Sequence, residues 1–187
     1  MKVEHLCKRF GEHTVLDDLT LEVPNGEITC LMGASGYGKT TLMNILLGLV
    51  EPDSGTIIDL PERVGVCFQT DRLCEQLSAV ENVRFVTGNS VPRETIMEHL
   101  SRLGLAESML QPVSELSGGM RRRVCLARTV LCGAEAIFLD EPFKGLDEQT
   151  RLVAMDYLKD LSSGKTVLLI THEAAEAEYL GKNILHL

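Results

Sequence analysis

An apolar run from Glu27 to Met32 breaks into Gly33-Ala34-Ser35-Gly36-Tyr37-Gly38-Lys39-Thr40, and a helix-like run follows from Lys39 to about Leu49. The segment fits G-x-x-x-x-G-K-[ST], and a strand before it with a helix after it is the context that motif requires. Few chain architectures accept such a segment. Its glycines let successive backbone N–H groups turn inward around an anion, which needs a buried strand to anchor one end and a helix N-terminus aimed at the same point. The segment therefore predicts a strand–loop–helix unit of an α/β fold, built as a phosphate cradle. Lys39 supplies a point charge to the β- and γ-phosphates, and the Thr40 hydroxyl is a ligand for Mg²⁺. Tyr37 stands where small residues are usual. Because main chain makes the cradle, its ring is expected to point outward.

The rest of the chain continues the alternation. Val3 to Val23 reads as two strands closing in Pro24-Asn25-Gly26, Pro52-Asp53-Ser54-Gly55 as a turn, and Arg63 to Phe68 as a strand. From about Asp71 to Glu115 the pattern is helical and more polar. Then come a helix from Gly119 to about Leu131, a buried strand Ala136 to Leu139, a helix Glu148 to Leu161, a strand Thr166 to Thr171, and a short helix Glu173 to Leu180. Strand alternating with helix argues for a parallel, doubly wound sheet.

Two further segments carry chemistry. Ala136-Ile137-Phe138-Leu139-Asp140-Glu141 delivers two carboxylates to the C-terminal edge of a buried strand, where α/β folds bind ligands. Asp140 is placed to hold Mg²⁺ through water, and Glu141 to polarise an attacking water. Leu116-Ser117-Gly118-Gly119-Met120 opens a helix and offers free N–H groups and a positive dipole end to an anion. A chain that already has a phosphate cradle has no evident use for a second one of its own.

Composition narrows the partners. With 187 residues and a formal net charge of −9, the chain is large enough for a real core and, being acidic, a poor candidate for tracking nucleic-acid backbones. No apolar stretch is long enough to span a bilayer, and Met1-Lys2-Val3-Glu4-His5 lacks the apolar region of a signal peptide. A cytoplasmic location is expected, with any membrane contact made through a partner. The six cysteines form no C-x-x-C pair and read as reduced, mostly buried thiols.

The phosphate loop, the Leu-Ser-Gly-Gly-Met run and Leu139-Asp140-Glu141-Pro142 occur in the order seen in the nucleotide-binding subunits of ABC transporters, and the resemblance covers essentially the whole chain. It implies the P-loop NTPase fold of ABC ATPases, as one domain over 1–187. That fold has a mainly parallel core at 1–70 and 116–187, an antiparallel β-portion at its N-terminus, and a helical insert over about 71–115 that extends into the signature helix to about 132. It implies ATP with Mg²⁺ as cofactors. ATP is bound by Phe10, stacked on adenine, and by Gly33, Ala34, Ser35, Gly36, Tyr37, Gly38, Lys39, Thr40 and Thr41. Gln69 looks like the Q-loop glutamine, which contacts Mg²⁺ and the attacking water. Asp147, in Gly145-Leu146-Asp147, resembles the D-loop, although Lys144-Gly145 stands where a Ser-Ala pair is commoner. His172 looks like the switch histidine that senses the γ-phosphate. Glu141, His172 and Gln69 are then the catalytic set, and Thr40, Gln69 and Asp140 hold the metal.

The resemblance also explains the second anion site. Ser117, Gly118, Gly119 and Met120 contact the ATP of a second copy, in a head-to-tail homodimer or pseudo-dimer. Arg121-Arg122-Arg123, which could be taken for a nucleic-acid patch, falls on a helix where surface and site support are expected. The implied activity is ATP hydrolysis that drives separate transmembrane permease subunits, with the chain peripheral on the inner face of the membrane. Gln69-Thr70-Asp71-Arg72-Leu73 and the run from Glu141 to Asp147 are similar to nitrate/sulfonate/taurine-type importers, so import with an extracytoplasmic solute-binding protein is expected. The alternatives are an ABC-type ATPase acting on nucleic acid or ribosomes, and a regulatory partner that only binds nucleotide. Asn183-Ile184-Leu185-His186-Leu187 reads as a strand after the switch histidine, in the manner of a minimal motor without a regulatory tail.

Overall fold

The computed structural model describes every residue of Met1–Leu187 except Ser35, so the expected place of Ser35 in the cradle lies outside the described residues. Two sheets form. Strands β1 (Lys2–Phe10), β2 (His13–Glu22) and β4 (Ser54–Ile58) make an antiparallel sheet in the order β2-β1-β4. Strands β3 (Ile28–Met32), β5 (Val64–Cys67), β6 (Ala136–Asp140), β7 (Thr166–Ile170) and β8 (Asn183–His186) make a parallel sheet in the order β5-β6-β7-β3-β8.

The central strands are buried on both faces, and their period-two alternation divides the core. Cys30, Ile137, Leu139, Val167 and Leu169 face one hydrophobic cluster. It is completed by α2 (Ala79–Thr87), α3 (Arg93–Arg102), α4 (Gly118–Leu131) and α5 (Glu148–Leu161). Leu31, Ala136, Phe138, Leu168 and Ile170 face the other, completed by α1 (Lys39–Leu46) and the antiparallel sheet through Val3, Leu6, Leu16 and Leu21. A last helix, α6 (Ala174–Leu180), leads into β8. No helix among the described residues is long and apolar enough to cross a membrane.

Two local readings are corrected. Pro24-Asn25-Gly26 does not close the first two strands but leads into β3; the hairpin turns at Gly11-Glu12, where Gly11 takes a φ of +60°. Ser54-Gly55 is not the end of a turn but the start of β4, an edge strand whose residues are mostly exposed, so no clean apolar alternation announces it. The cysteines are all free thiols, but only Cys30, Cys67 and Cys125 are buried.

Candidate active site

The loop after β3 and the ends of β5 and β6 border one cleft of about 360 Å³, lined by residues including Phe10, Lys39, Thr40, Gln69, Asp140 and Glu141. Gly38 sits at the start of α1 with a φ of +86°, and a Cβ there would stand 2.7 Å from Leu16 Cδ2 and 2.9 Å from the Val15 carbonyl. Only glycine fits both the backbone and the space. Lys39 is buried, and its ammonium donates to the carbonyls of Gly33 (2.7 Å) and Ala34 (2.8 Å). This holds the charge inside the loop. Tyr37 is 60% exposed and points away, as expected.

Across the cleft, Thr40 Oγ1 donates to Asp140 Oδ2 at 3.0 Å, tying α1 to the end of β6. Burial pushes the Asp140 carboxyl up, against the Thr40 bond that favours its charged form. A buried carboxylate beside a hydroxyl is a pair of hard oxygen donors, which suits Mg²⁺ and would have its charge compensated by it.

Glu141 follows with a φ of +48°, a sparsely populated conformation for a residue with a side chain. Its carboxylate accepts from Lys144 Nζ at 2.7 Å and from Gln69 Nε2 at 3.3 Å, and His172 Nδ1 lies 3.3 Å away. Burial pushes this carboxyl up, but Lys144, Gln69 and His172 together outweigh burial and hold it below the usual carboxylate range. The structure thus gathers Gln69, Glu141 and His172, from three separate strand ends, around one carboxylate.

Phe10 and His13 are paired at the tip of the β1–β2 hairpin and both line the cleft. Phe10 is 52% exposed, so it is not a core residue. An exposed ring at the mouth of this cleft leaves a π-face on which a base could stack. Phe10→Ala is expected to weaken ATP binding by about tenfold, the loss of one base–aromatic stack, with the fold unchanged. Titration with a fluorescent ATP analogue measures it, and an unaltered affinity removes Phe10 from the site.

Other residues lie apart. Ser117 caps α4, its Oγ accepting from the Met120 N–H at 3.3 Å, and neither it nor Gly118, Gly119 or Met120 is among the described residues lining the cleft. Ser117 and Gly118 are exposed. Asp147 caps α5, accepting from the Thr150 N–H at 3.0 Å, and also stands outside the cleft. The arginine cluster is not a free basic patch. Arg121 pairs with Asp71 and Glu75, Arg123 donates to the Leu103 carbonyl at 2.6 Å, and Arg122 turns into the core. Helical spacing puts Arg122 on the same face as Cys125, Leu126 and Thr129, which are also buried.

The family model described as "ABC transporter" matches residues 16–144. This chain belongs to the ABC transporter family. The Nod factor export ATP-binding protein I of Cupriavidus metallidurans is 38% identical over 96% of this chain and 65% of its own length. The aliphatic sulfonates import ATP-binding protein SsuB 2 of Burkholderia cenocepacia is 37% identical over 96% of this chain and 70% of its own. The chain thus spans just under two thirds of the Nod factor export protein. Among solved structures, the dimeric MJ0796, a bacterial ABC transporter cassette, superposes with a TM-score of 0.87 at 29% identity, covering 100% of this chain and 93% of that one. A post-hydrolysis MJ0796 dimer bound to ADP and Pi gives 0.84 at 30%, with the same coverage. The ABC fold of this chain, with its parallel core, antiparallel sheet and helices, matches that cassette throughout.

Sequence reading missed Lys144 as a partner of Glu141 and Arg122 as a buried group. For Lys144 the only signal was its departure from the commoner Ser. For Arg122 the signal was its helical phase.

Proposed function

We propose that this chain is the ATP-hydrolysing motor of an ABC transporter and that it works in pairs. The observation that carries this reading is spatial. Gln69, Asp140 and Glu141 share the cleft with the phosphate loop, whereas Ser117 and Gly118 lie exposed at a helix start elsewhere. A second copy placed head to tail supplies the missing half, and MJ0796 is a dimer. In this reading Lys39 and the loop N–H groups hold the β- and γ-phosphates, Phe10 stacks on adenine, and Ser117, Gly118 and Gly119 of the other copy close over the γ-phosphate. Glu141 accepts a proton from the attacking water, Gln69 and His172 fix that carboxylate and the water, and Asp147 borders the interface. Thr40 and Asp140, with Gln69, would hold Mg²⁺, which when bound neutralises phosphate charge. Catalysis is then positioning and electrostatics in a closed site.

We take the direction to be import, with permease subunits in the membrane, a solute-binding protein outside and this chain on the inner face. The SsuB relatives and the Glu141–Asp147 run support import, and the Nod factor relatives make export the competing outcome. Purified chain is expected to hydrolyse ATP with a rate that rises more steeply than linearly with its concentration. Strict proportionality at concentrations where the chain sediments as a monomer throughout turnover would remove the paired site. Co-purification with permease and solute-binding subunits tests the import reading, and a permease without a solute-binding protein points to export.

A further inference from the structure

Arg122 is 4% exposed, yet it carries a charge that never leaves it. Its Nε donates to the Pro142 carbonyl at 3.2 Å, Nη1 to those of Phe68 and Gln69, and Nη2 to those of Asp140 and Glu141. A guanidinium has five N–H groups. Here five backbone carbonyls take them up, at the ends of the two strands that carry Gln69 and Glu141. Asp71 Oδ1 stands 3.6 Å from Nη1. Burying a cation is costly unless it is fully hydrogen-bonded, and an apolar side chain would fill this face of α4 without that cost. The charge holds the chain where it leaves β5 and β6. Glu141, in its left-handed conformation, is one of the groups held, and such conformations persist only where the surroundings over-determine them.

We propose that Arg122 is a positioning residue, a clasp through which helix α4 sets the Gln69 and Glu141 backbones and hence their side-chain contact at 3.3 Å. The inference rests on the paired-site reading in one respect. Helix α4 begins at Ser117, which in that reading touches the other copy's nucleotide. A movement of α4 on that contact is passed by Arg122, five residues along, to the carboxylate serving its own copy's nucleotide.

Two variants of the full chain test the clasp. Arg122→Gln removes the charge and leaves two donors, and Arg122→Lys keeps the charge without the fork. Amide hydrogen exchange in folded Arg122→Gln is expected to quicken roughly tenfold across 68–72 and 139–145 and to stay unchanged in β3 and β7. Turnover is expected to fall roughly 10- to 100-fold, the cost of a misplaced reacting group, and Arg122→Lys recovers part of it. The affinity of the lone chain for a fluorescent ATP analogue stays within about twofold. Unchanged exchange at the two strand ends overturns the clasp, as does a uniform acceleration with equal losses of affinity and turnover. If Arg122→Gln does not fold, Arg122→Lys carries the same comparisons. A wild-type chain without ATPase activity sinks the functional reading alone, because the exchange experiment still decides the clasp.

Discussion

Two inactive variants of this protein are expected to regain activity when mixed. Gly118→Asp puts a carboxylate where the other copy's γ-phosphate is expected. A Cβ on Gly118 meets nothing within 4 Å, so the chain itself accommodates the change. An acidic residue in the first turn of α4 also favours the helix. Nucleotide binding to the lone chain should stay within about twofold of wild type, because no contact in its own cleft is touched. Hydrolysis should fall roughly 100-fold or more through like-charge repulsion at the shared site. Lys39→Ala removes the ammonium from the phosphate loop and should abolish tight ATP binding. In a mixed pair, however, the Gly118→Asp chain provides an intact phosphate loop and the Lys39→Ala chain an intact Ser117-Gly118-Gly119. Half the pairs are mixed and each has one whole site, so an equimolar mixture should recover up to about a quarter of wild-type turnover. A coupled phosphate-release assay on the mixture gives the answer. If activity stays at the level of either variant alone, the two half-sites do not meet.

The second large effect is expected at Glu141. Glu141→Gln keeps the side chain's shape and its need for a φ of +48°, but removes the only change a general base can make, the gain of a proton. Turnover should fall roughly 10²- to 10⁴-fold, the range for a positioned acid or base. The ion contact to Lys144 is lost with the charge. One negative charge facing the γ-phosphate is lost as well, so ATP should hold the pair together longer. Size-exclusion chromatography with ATP should show a dimer that wild type shows only transiently. Near-normal turnover in a folded Glu141→Gln chain would take the base role away from Glu141.

Much of the site was legible because its chemistry is local. The phosphate loop, Asp140 and Glu141 each sit at a strand end whose apolar run marks it, and the structure puts them around one cleft. Gln69 and His172 were legible only through their places in an ordered set of motifs, since a lone Gln or His after a strand carries no signal of its own. The structure brings both to Glu141. Ser117 reads from sequence as a contact across a pair and Asp147 as part of a D-loop, and within one chain both act as helix caps. The misses share a cause. Arg122 and Lys144 act through atoms far away in sequence, and a run of three arginines looks alike whether it faces water or carbonyls. Strand β4 was missed because an exposed edge strand lacks the alternation that gives a strand away.

The place of β3 in the parallel sheet has a consequence for how the protein is made. β3 is encoded within the first 32 residues, but its hydrogen-bonded neighbours are β7 and β8, which begin at Thr166 and Asn183. On the ribosome, the hairpin bearing Phe10 can form early from contacts close in sequence. The strand that launches the phosphate loop must instead wait for almost the whole chain, since pairings this distant close last. Tight ATP binding is therefore expected only once β7 and β8 have joined β3, and a nascent chain arrested before Thr166 should not retain a fluorescent ATP analogue.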